Sequence, residues 1–311
     1  MDMSMEVLER VLLASVTEQR RSRRWRIAFR FMAFAVVISA VLVNGSFDLV
    51  GEGDGREHTA KIEVEGPIGE GSGVSAEKVK RSLAAAFMDP KTRGVVLEIN
   101  SPGGSPVAAG IIYDEIKRQR NIHPAIKVYA VIGDLGASGA YYIASAADQI
   151  YADKASLVGS IGVTAATFGF VDLMSKLGVE RRAYTSGKHK AFLDQFQPRN
   201  EDETKFWQGV LNTTHQQFIS AVKSGRGDRL KSAEHPEIFS GLIWTGEQAL
   251  HLGLIDHLGD IDLVARDVIQ QERVGDFTRK DSAFDRFAIK LGASAAREIS
   301  QAVGVSGIRL Q

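Results

Sequence analysis

A serine within a run of small residues is the first group in this sequence that could act as a nucleophile. Residues 136–142 read Gly-Ala-Ser-Gly-Ala-Tyr-Tyr and follow a predicted strand. A nucleophile on a tight strand-to-helix turn needs small neighbours so that its oxygen is exposed, and the following helix supplies N–H donors for an oxyanion. The run nearly matches G-x-S-x-G, with Ala140 in place of the last glycine. Ser138 is therefore a candidate nucleophile; the alternative is that it only caps the helix.

A pair of glycines could supply backbone donors to the same chemistry. Residues 100–104 read Asn-Ser-Pro-Gly-Gly and come directly after a predicted buried strand. Glycines at such a place allow positive φ and let backbone N–H groups approach a ligand closely. A plain strand-to-helix turn would show the same pattern, so the segment alone leaves both interpretations open.

Two later segments could complete a site. Residues 157–163, which contain Ser160, are typical of a glycine-punctuated bend, and residues 186–192, Ser-Gly-Lys-His-Lys-Ala-Phe, are typical of a solvated basic loop. A serine nucleophile needs a base, and His189 is the only one of seven histidines in a motif-like segment. A lysine can serve instead if burial lowers its pKa from about 10.4 to about 7–8, which costs about 4 kcal/mol. An apolar substrate groove would provide that burial.

The elements that must position these groups alternate between strands and helices from about Thr59 onward. The hydrophobic pattern predicts strands at 60–64, 94–99, 126–132, 150–152, 162–164 and 180–185. It predicts helices at 75–87, 108–120, 138–147, 171–177 and 201–223. This alternation indicates an α/β fold with a mostly parallel sheet covered by helices.

The beginning of the chain has the charge pattern of a membrane anchor. Seven arginines lie in the first thirty residues, and the mostly apolar residues 27–43 follow with Arg30 inside them. As a helix these 17 residues would span about 25 Å, a short crossing if Arg30 reaches the interface. The arginines predict a cytoplasmic N-terminus. A cleaved signal peptide and a buried core helix are the alternatives.

We expect five regions along the chain. These are a basic, amphipathic cytoplasmic segment at 1–26, a transmembrane anchor at 27–43, a linker at 44–58, a folded domain at 59–272 and a C-terminal tail at 273–311.

Composition excludes several classes of protein. The chain has 38 basic and 38 acidic residues and no cysteine. Zero net charge argues against non-specific nucleic-acid binding. The absence of cysteine excludes disulfides, zinc–thiolate sites, iron–sulfur clusters and a cysteine nucleophile.

Taken in order, the four segments resemble the signal peptide peptidase A family, also called protease IV. Residues 241–250, Gly-Leu-Ile-Trp-Thr-Gly-Glu-Gln-Ala-Leu, and the following Leu-Gly-Leu-Ile-Asp at 252–256 extend the likeness, which covers about residues 61–268. The resemblance implies a Ser/Lys peptidase on a ClpP/crotonase-like spiral of ββα units, with an N-terminal transmembrane helix. One copy of each motif indicates the single-domain form of the family.

The resemblance also assigns roles to individual residues. Ser138 falls on the family's nucleophile, Lys190 on the general base, Ser160 on the serine that orients the lysine ammonium, and Gly104 on an oxyanion-hole donor. Gly139 is our choice for the second donor, because it follows the nucleophile. Lys188 is an extra lysine near the proposed base, and its charge would lower the pKa of Lys190 if the two side chains lay close together.

The family further implies partners and a location. The expected substrates are apolar peptides such as cleaved signal peptides, with no metal or organic cofactor. We expect a homo-oligomeric ring or dome, such as an octamer, whose dyad is shared between neighbouring protomers. The chain would lie in the bacterial inner membrane, with its catalytic domain on the periplasmic side.

Three other functions stay open from the sequence. They are a Ser-His-Asp peptidase on the same fold that recruits His189 or His123, an acyl-CoA hydratase or hydrolase, and an inactive membrane scaffold.

Overall fold

The computed structural model describes residues 23–36, 39, 55–71 and 73–279. The chain divides into two compact units, of which one comprises residues 1–50 and 280–311 and the other residues 51–279. In the first unit, residues 23–36 form a helix (α1) whose residues are all exposed. Among the described residues, no helix is both long enough and apolar enough to cross a membrane. Part of the predicted anchor, residues 37, 38 and 40–43, lies outside the described residues, so the anchor stays a prediction.

The second unit is built on one sheet of eight strands. The strands are β1 (His58–Glu65), β2 (Thr92–Ser101), β3 (Lys127–Ala137), β4 (Gln149–Ala152), β5 (Leu157–Gly159), β6 (Ile243–Thr245), β7 (His257–Leu258) and β8 (Val274–Asp276). The main order is β6-β5-β3-β2-β1-β8, and β4 pairs with both β3 and β7. Every pair is parallel except β5 with β6, which agrees with the predicted α/β class.

The long strand β3 has two different neighbours on one side. Its first half, Tyr129–Ile132, pairs with β4, and its last three residues, Leu135–Ala137, pair with β5. The sheet therefore forks along β3, and the strand's carboxyl end lies between β2 and β5. Loops that follow these three strands meet at this end, where a parallel α/β sheet commonly binds its ligands.

Helices and short turns connect the strands. The helices are α2 (Ala76–Met88), α3 (Pro106–Ile122), α4 (Gly139–Ala144), α5 (Val171–Lys176), α6 (Glu201–Arg226), α7 (Gly246–His251) and α8 (Ile261–Leu263). The hydroxyl oxygens of Ser75 and Ser105 accept N–H groups in the first turns of α2 and α3. Each cap satisfies a donor that the helix start leaves unpaired.

The core lies mainly between the sheet and the helices α2, α3 and α4. Alternate residues of the central strands face these helices, among them Ile62, Leu97 and Ala130. The opposite face carries a smaller cluster with Val96, Tyr129 and Val264. Since both faces are covered, the central strands are apolar almost throughout, as a parallel sheet requires.

Most predicted elements are present, but two predicted strands are wrong. Residues 162–164 form no strand, because the preceding strand β5 ends where Gly159 and Ser160 adopt φ of 108° and 51°. Residues 180–185 are all exposed and have no sheet partner in the described part of the chain. At the other end of the domain, β8 pairs with β1 and Phe277 is buried, so the sheet continues beyond residue 272.

Candidate active site

Ser138 lies at the junction of β3 and α4 in a conformation that few serines adopt. Its φ is 54° and its ψ is −124°. Within the described residues only four non-glycine residues have positive φ, and Ser138 and Ser160 are two of them. Such strain costs about 1–3 kcal/mol and persists only where the surrounding structure holds it. Here the Ser138 N–H donates to the carbonyl of Gly159 at 2.8 Å, which ties the turn to β5.

The Ser138 side chain does not cap α4. Although Ser138 occupies the N-cap position, its hydroxyl makes no capping hydrogen bond, and the residue is partly exposed. The alternative that Ser138 serves only as a helix cap is therefore wrong. Its hydroxyl oxygen is available for chemistry.

The glycine pair after β2 is packed against the serine turn. A Cβ on Gly103 would lie 2.7 Å from the nitrogen of Gly139 and 2.8 Å from the Cβ of Ser138. A Cβ on Gly104 would lie 2.1 Å from the carbonyl oxygen of Ile68. Both residues have positive φ, 93° and 150°. Only glycine fits these positions, because a side chain would strike backbone atoms on either side.

Ile68 fixes the direction in which Gly104 presents its N–H. The Ile68 N–H donates to Gly103 at 2.9 Å, and the Ser105 N–H donates to Ile68 at 2.8 Å. These two hydrogen bonds use the carbonyl of Gly103 and the N–H of Ser105, so they leave the N–H of Gly104 without an acceptor. A Cβ on Gly139 would lie 3.3 Å from the Gly104 nitrogen, and neither N–H has an acceptor in the described part of the chain. Two unpaired donors thus lie together beside Ser138, as an oxyanion hole requires.

Ser160 comes directly after the residue that contacts Ser138. It is partly buried, and its N–H donates to the carbonyl of Leu242 at 2.7 Å. Ala137 and Gly159 are register partners between β3 and β5. The structure therefore brings the Ser160 segment beside the nucleophile, together with Gly104 and Gly139.

Lys190 is placed differently from the other four candidates. It lies in the loop of residues 186–193, where its N–H donates to Gly187 at 3.1 Å. Its side chain is exposed. Among the described residues neither the Lys190 ammonium nor the Ser138 hydroxyl has a hydrogen-bond or ion-pair partner. One copy of the chain therefore does not join the two side chains.

The described histidines that were considered as alternative bases have other contacts. His189 lies 3.7 Å from a carboxylate oxygen of Glu203, and His123 stacks on Phe87 at 5.2 Å between ring centroids. Neither contacts Ser138. Among the described residues no group of three or more His, Asp or Glu side chains could hold a metal ion.

A buried ion pair supports the helix that follows the serine. The Tyr141 hydroxyl of α4 donates to the carbonyl of Leu254 at 2.7 Å, and burial raises the pKa of this fully buried phenol. Next to it Arg226, 1% exposed, forms two hydrogen bonds with Asp256 at 2.7 and 3.0 Å. Burial alone would raise the pKa of Asp256, but the hydrogen bond and charge of Arg226 bring it below its ordinary value.

This pair gives a stability prediction. Replacing Arg226 with alanine leaves Asp256 without its main buried partner, so we expect the free energy of unfolding to fall by about 3–5 kcal/mol. Arg266→Ala breaks only an exposed pair with Asp267 and should cost less than about 1 kcal/mol. Urea unfolding of both variants measures the difference, and equal losses would contradict the prediction.

The same pair predicts how stability depends on pH. Because folding lowers the pKa of Asp256 below 3.8, its contribution is complete above that pH and is lost as the pH falls through the lower folded-state value. The stability gap between wild type and Asp256→Asn should therefore shrink below about pH 4. A gap that stays constant from pH 6 to pH 3 would contradict this.

Three contacts of the site were not predicted from the sequence. The Ile68 bridge and the Leu242 carbonyl come from segments far from Ser138 in the chain, and Glu203 was assigned only to a helix. Only Leu242 carried a signal, since it lies in the resemblance segment at 241–250.

The fold and the site together define a class of protein. An α/β sheet that presents a strained serine beside two unpaired backbone donors has the geometry typical of serine hydrolases. The sequence profile of peptidase family S49 matches residues 120–275, half of the chain. The chain belongs to peptidase family S49, which confirms the resemblance to signal peptide peptidase A.

Curated relatives extend this comparison. A protein named Na+/H+ antiporter NhaA from Brucella abortus is 46% identical over 179 residues, 58% of this chain and 24% of that one. The chloroplastic serine protease SPPA of Arabidopsis thaliana is 31% identical over 64% of this chain and 29% of its own. Protease 4 of Haemophilus influenzae is 29% identical over 74% and 37%. The chain thus spans about a quarter of the Brucella protein's length.

Among solved structures, a membrane-bound stomatin-specific protease aligns over 73% of this chain and 96% of that one. The TM-score is 0.42 and the sequence identity is 16%.

Proposed function

We propose that this chain is a serine endopeptidase that uses Ser138 as nucleophile and Lys190 as general base, and that it cleaves apolar peptides at a membrane. The observation that carries the proposal is the serine turn itself. Ser138 is held in a strained conformation with an uncommitted hydroxyl, next to the unpaired N–H groups of Gly104 and Gly139. Membership of family S49 supports the same chemistry.

The reaction is an acyl transfer in two steps. Neutral Lys190 takes the hydroxyl proton of Ser138 as the oxygen attacks the peptide carbonyl carbon. The N–H groups of Gly104 and Gly139 hold the oxyanion that forms. The lysine ammonium then gives its proton to the leaving amine, and water hydrolyses the acyl ester by the same route in reverse. Ser160 orients the ammonium, and no step needs a cofactor.

The exposed position of Lys190 supports an active site completed between neighbouring copies. A lysine acts as a base only when it is neutral, which requires that water be kept away from it. In one copy none of residues 162–217, all described, is buried. Several large apolar side chains of this stretch, including Phe168 and Leu177, are more than two thirds exposed. A neighbouring copy that covers this stretch would both bury Lys190 and bring it to a serine.

A ring or dome of such copies on a ClpP/crotonase-like spiral is the assembly we propose. Two contacts argue for lysine over histidine as the general base. His189 lies beside a carboxylate oxygen of Glu203, and His123 packs on Phe87.

Apolar side chains beside the site support an apolar substrate. Three apolar side chains lie near Gly159, whose carbonyl accepts the Ser138 N–H. They are Leu157 on β5, Leu242 just before β6 and Ile243 on β6, and they are 42–51% exposed. The edge strand β6 also leaves backbone groups unpaired, to which an extended peptide could add. Signal peptides that remain after secretion have this apolar character.

The N-terminal helix supports a place at the membrane. Its apolar residues Trp25, Phe29 and Phe31 are all more than half exposed, and the arginines around them favour a cytoplasmic N-terminus. We propose the bacterial inner membrane, with the unit of residues 51–279 as the peptidase domain on the periplasmic side.

A serine-directed fluorophosphonate probe and a fluorogenic apolar peptide test the proposal on the full chain. We expect the probe to label one residue, mapped by mass spectrometry to Ser138, and the peptide to be cleaved by the unlabelled protein only. An assembled, folded protein that takes no label and cleaves none of several apolar peptides would favour the inactive scaffold instead.

A further inference from the structure

The loop that carries Lys190 is held by a helix and not by the core. Residues 186–193 include no buried residue, yet a base must be placed to within a fraction of an ångström. The side-chain contacts that reach this loop from outside it come from the first two turns of α6. We infer that Glu203 of α6 is a positioning residue for Lys190, an inference that rests on the proposed function.

Glu203 contacts the loop on both sides of Lys190. One carboxylate oxygen accepts the N–H of Leu193 at 3.3 Å, and the other lies 3.7 Å from Nδ1 of His189. The Glu203 side chain is 19% exposed, whereas that of His189 is 64% exposed. A single, mostly covered carboxylate therefore ties together the two residues that bracket the base.

The Leu193 backbone requires such support. Its φ is 54°, a left-handed conformation that is unfavourable for a leucine. The strain persists only while neighbouring contacts hold it, and the hydrogen bond to Glu203 is made by the N–H of this same residue. Without that bond the loop can relax to an ordinary backbone conformation, and Lys190, three residues earlier, would move with it.

Aromatic packing places the loop near α6, whereas Glu203 supplies the side-chain hydrogen bond to the loop itself. Asp194, the residue after the loop, is held separately by its pair with Arg181. The Phe192 ring meets Phe206 and Trp207 edge-on at 5.7 and 5.9 Å between centroids. These contacts are not directional in the way a hydrogen bond is. The two acids before Glu203 on the same turn, Glu201 and Asp202, make no hydrogen bond or ion pair with the loop in the described part of the chain.

Two conservative substitutions separate the reach of Glu203 from its charge. Glu203→Asp keeps the charge but draws the oxygens back by one methylene, so it cannot reach Leu193 without moving the loop. We expect kcat for the apolar peptide to fall about ten-fold with KM within two-fold, since misplacement of a base acts on the chemical step. Glu203→Gln keeps the length and an acceptor oxygen, and should stay within about three-fold of wild type. Glu201→Asp, on the same turn, is the control and should match wild type.

The outcomes distinguish this inference from the proposed function. Wild-type kcat in Glu203→Asp, an equal loss in Glu201→Asp, or a loss expressed in KM alone would overturn the role of Glu203. If Lys190→Ala in the same assay keeps its activity, the dyad itself is wrong. If Lys190→Ala is inactive while Glu203→Asp equals wild type, only the inference about Glu203 fails. Size-exclusion chromatography of every variant checks that the assembly is unchanged.

Discussion

Replacing Ser138 with alanine is expected to abolish peptide hydrolysis, with kcat/KM lowered at least about a thousand-fold. In the proposed mechanism the hydroxyl oxygen attacks the substrate, so the N–H groups of Gly104 and Gly139 have no oxyanion to stabilise once that oxygen is removed. Alanine keeps the Cβ and the strained backbone, so the fold and assembly should be unchanged. Hydrolysis of the fluorogenic apolar peptide measures the loss.

A second substitution at this position separates strain from chemistry. Ser138→Gly should also be inactive, but it relieves the positive φ and should raise the free energy of unfolding by about 1 kcal/mol relative to Ser138→Ala. Ser240→Ala, at an exposed serine that bonds only to Glu237, is the control and should stay active. Appreciable hydrolysis by Ser138→Ala would show that another group attacks the substrate.

Replacing Lys190 with alanine is expected to lower kcat/KM as much as replacing Ser138 does. Two residues that act in the same chemical step give similar losses when either is removed. The oligomer should stay intact, since Lys190 is only one side chain of the stretch at 162–217 that a neighbouring copy would cover. Lys190→Arg is the sharper test. It keeps the positive charge, but a guanidinium does not lose its proton in proteins, so it should be equally inactive in the peptide assay.

The two neighbours of Lys190 provide matched controls. Lys188→Ala and His189→Ala remove the adjacent basic side chains of the same loop, and both should keep most of the activity. If Lys190→Ala still cleaves the peptide while His189→Ala is inactive, the Ser/Lys dyad is wrong and the general base is a histidine.

The candidate nucleophile Ser138 stands out from local sequence, whereas the proposed base Lys190 does not. Small residues around Ser138 and a strand before it are a local pattern, and the turn forms where that pattern places it. Lys190 lies in a basic loop that by itself is typical of solvent-exposed structure, and only the likeness to a family singles it out. In one copy of the chain the loop is indeed exposed.

Long-range backbone contacts explain what the sequence could not provide. The Gly104 N–H is directed by Ile68, 36 residues earlier, and β5 ends where Ser160 donates to Leu242, more than 80 residues later. The Ile68 pairing has no period or motif of its own, and the motif around Leu242 does not reveal which residue it pairs with. The false strand at 162–164 has the same origin, because apolar residues after a glycine cannot reveal that the backbone has already turned out of the sheet.

The stretch at 162–217 that lacks a buried residue has a consequence for when the protein can act. If a neighbouring copy must cover this stretch before Lys190 becomes a base, then association and activity are thermodynamically linked, and each favours the other by mass action. A newly made copy, alone and dilute, would be latent without any inhibitory segment to remove. Its peptidase activity would appear only once enough copies have gathered in one place, so local density would serve as the activating signal.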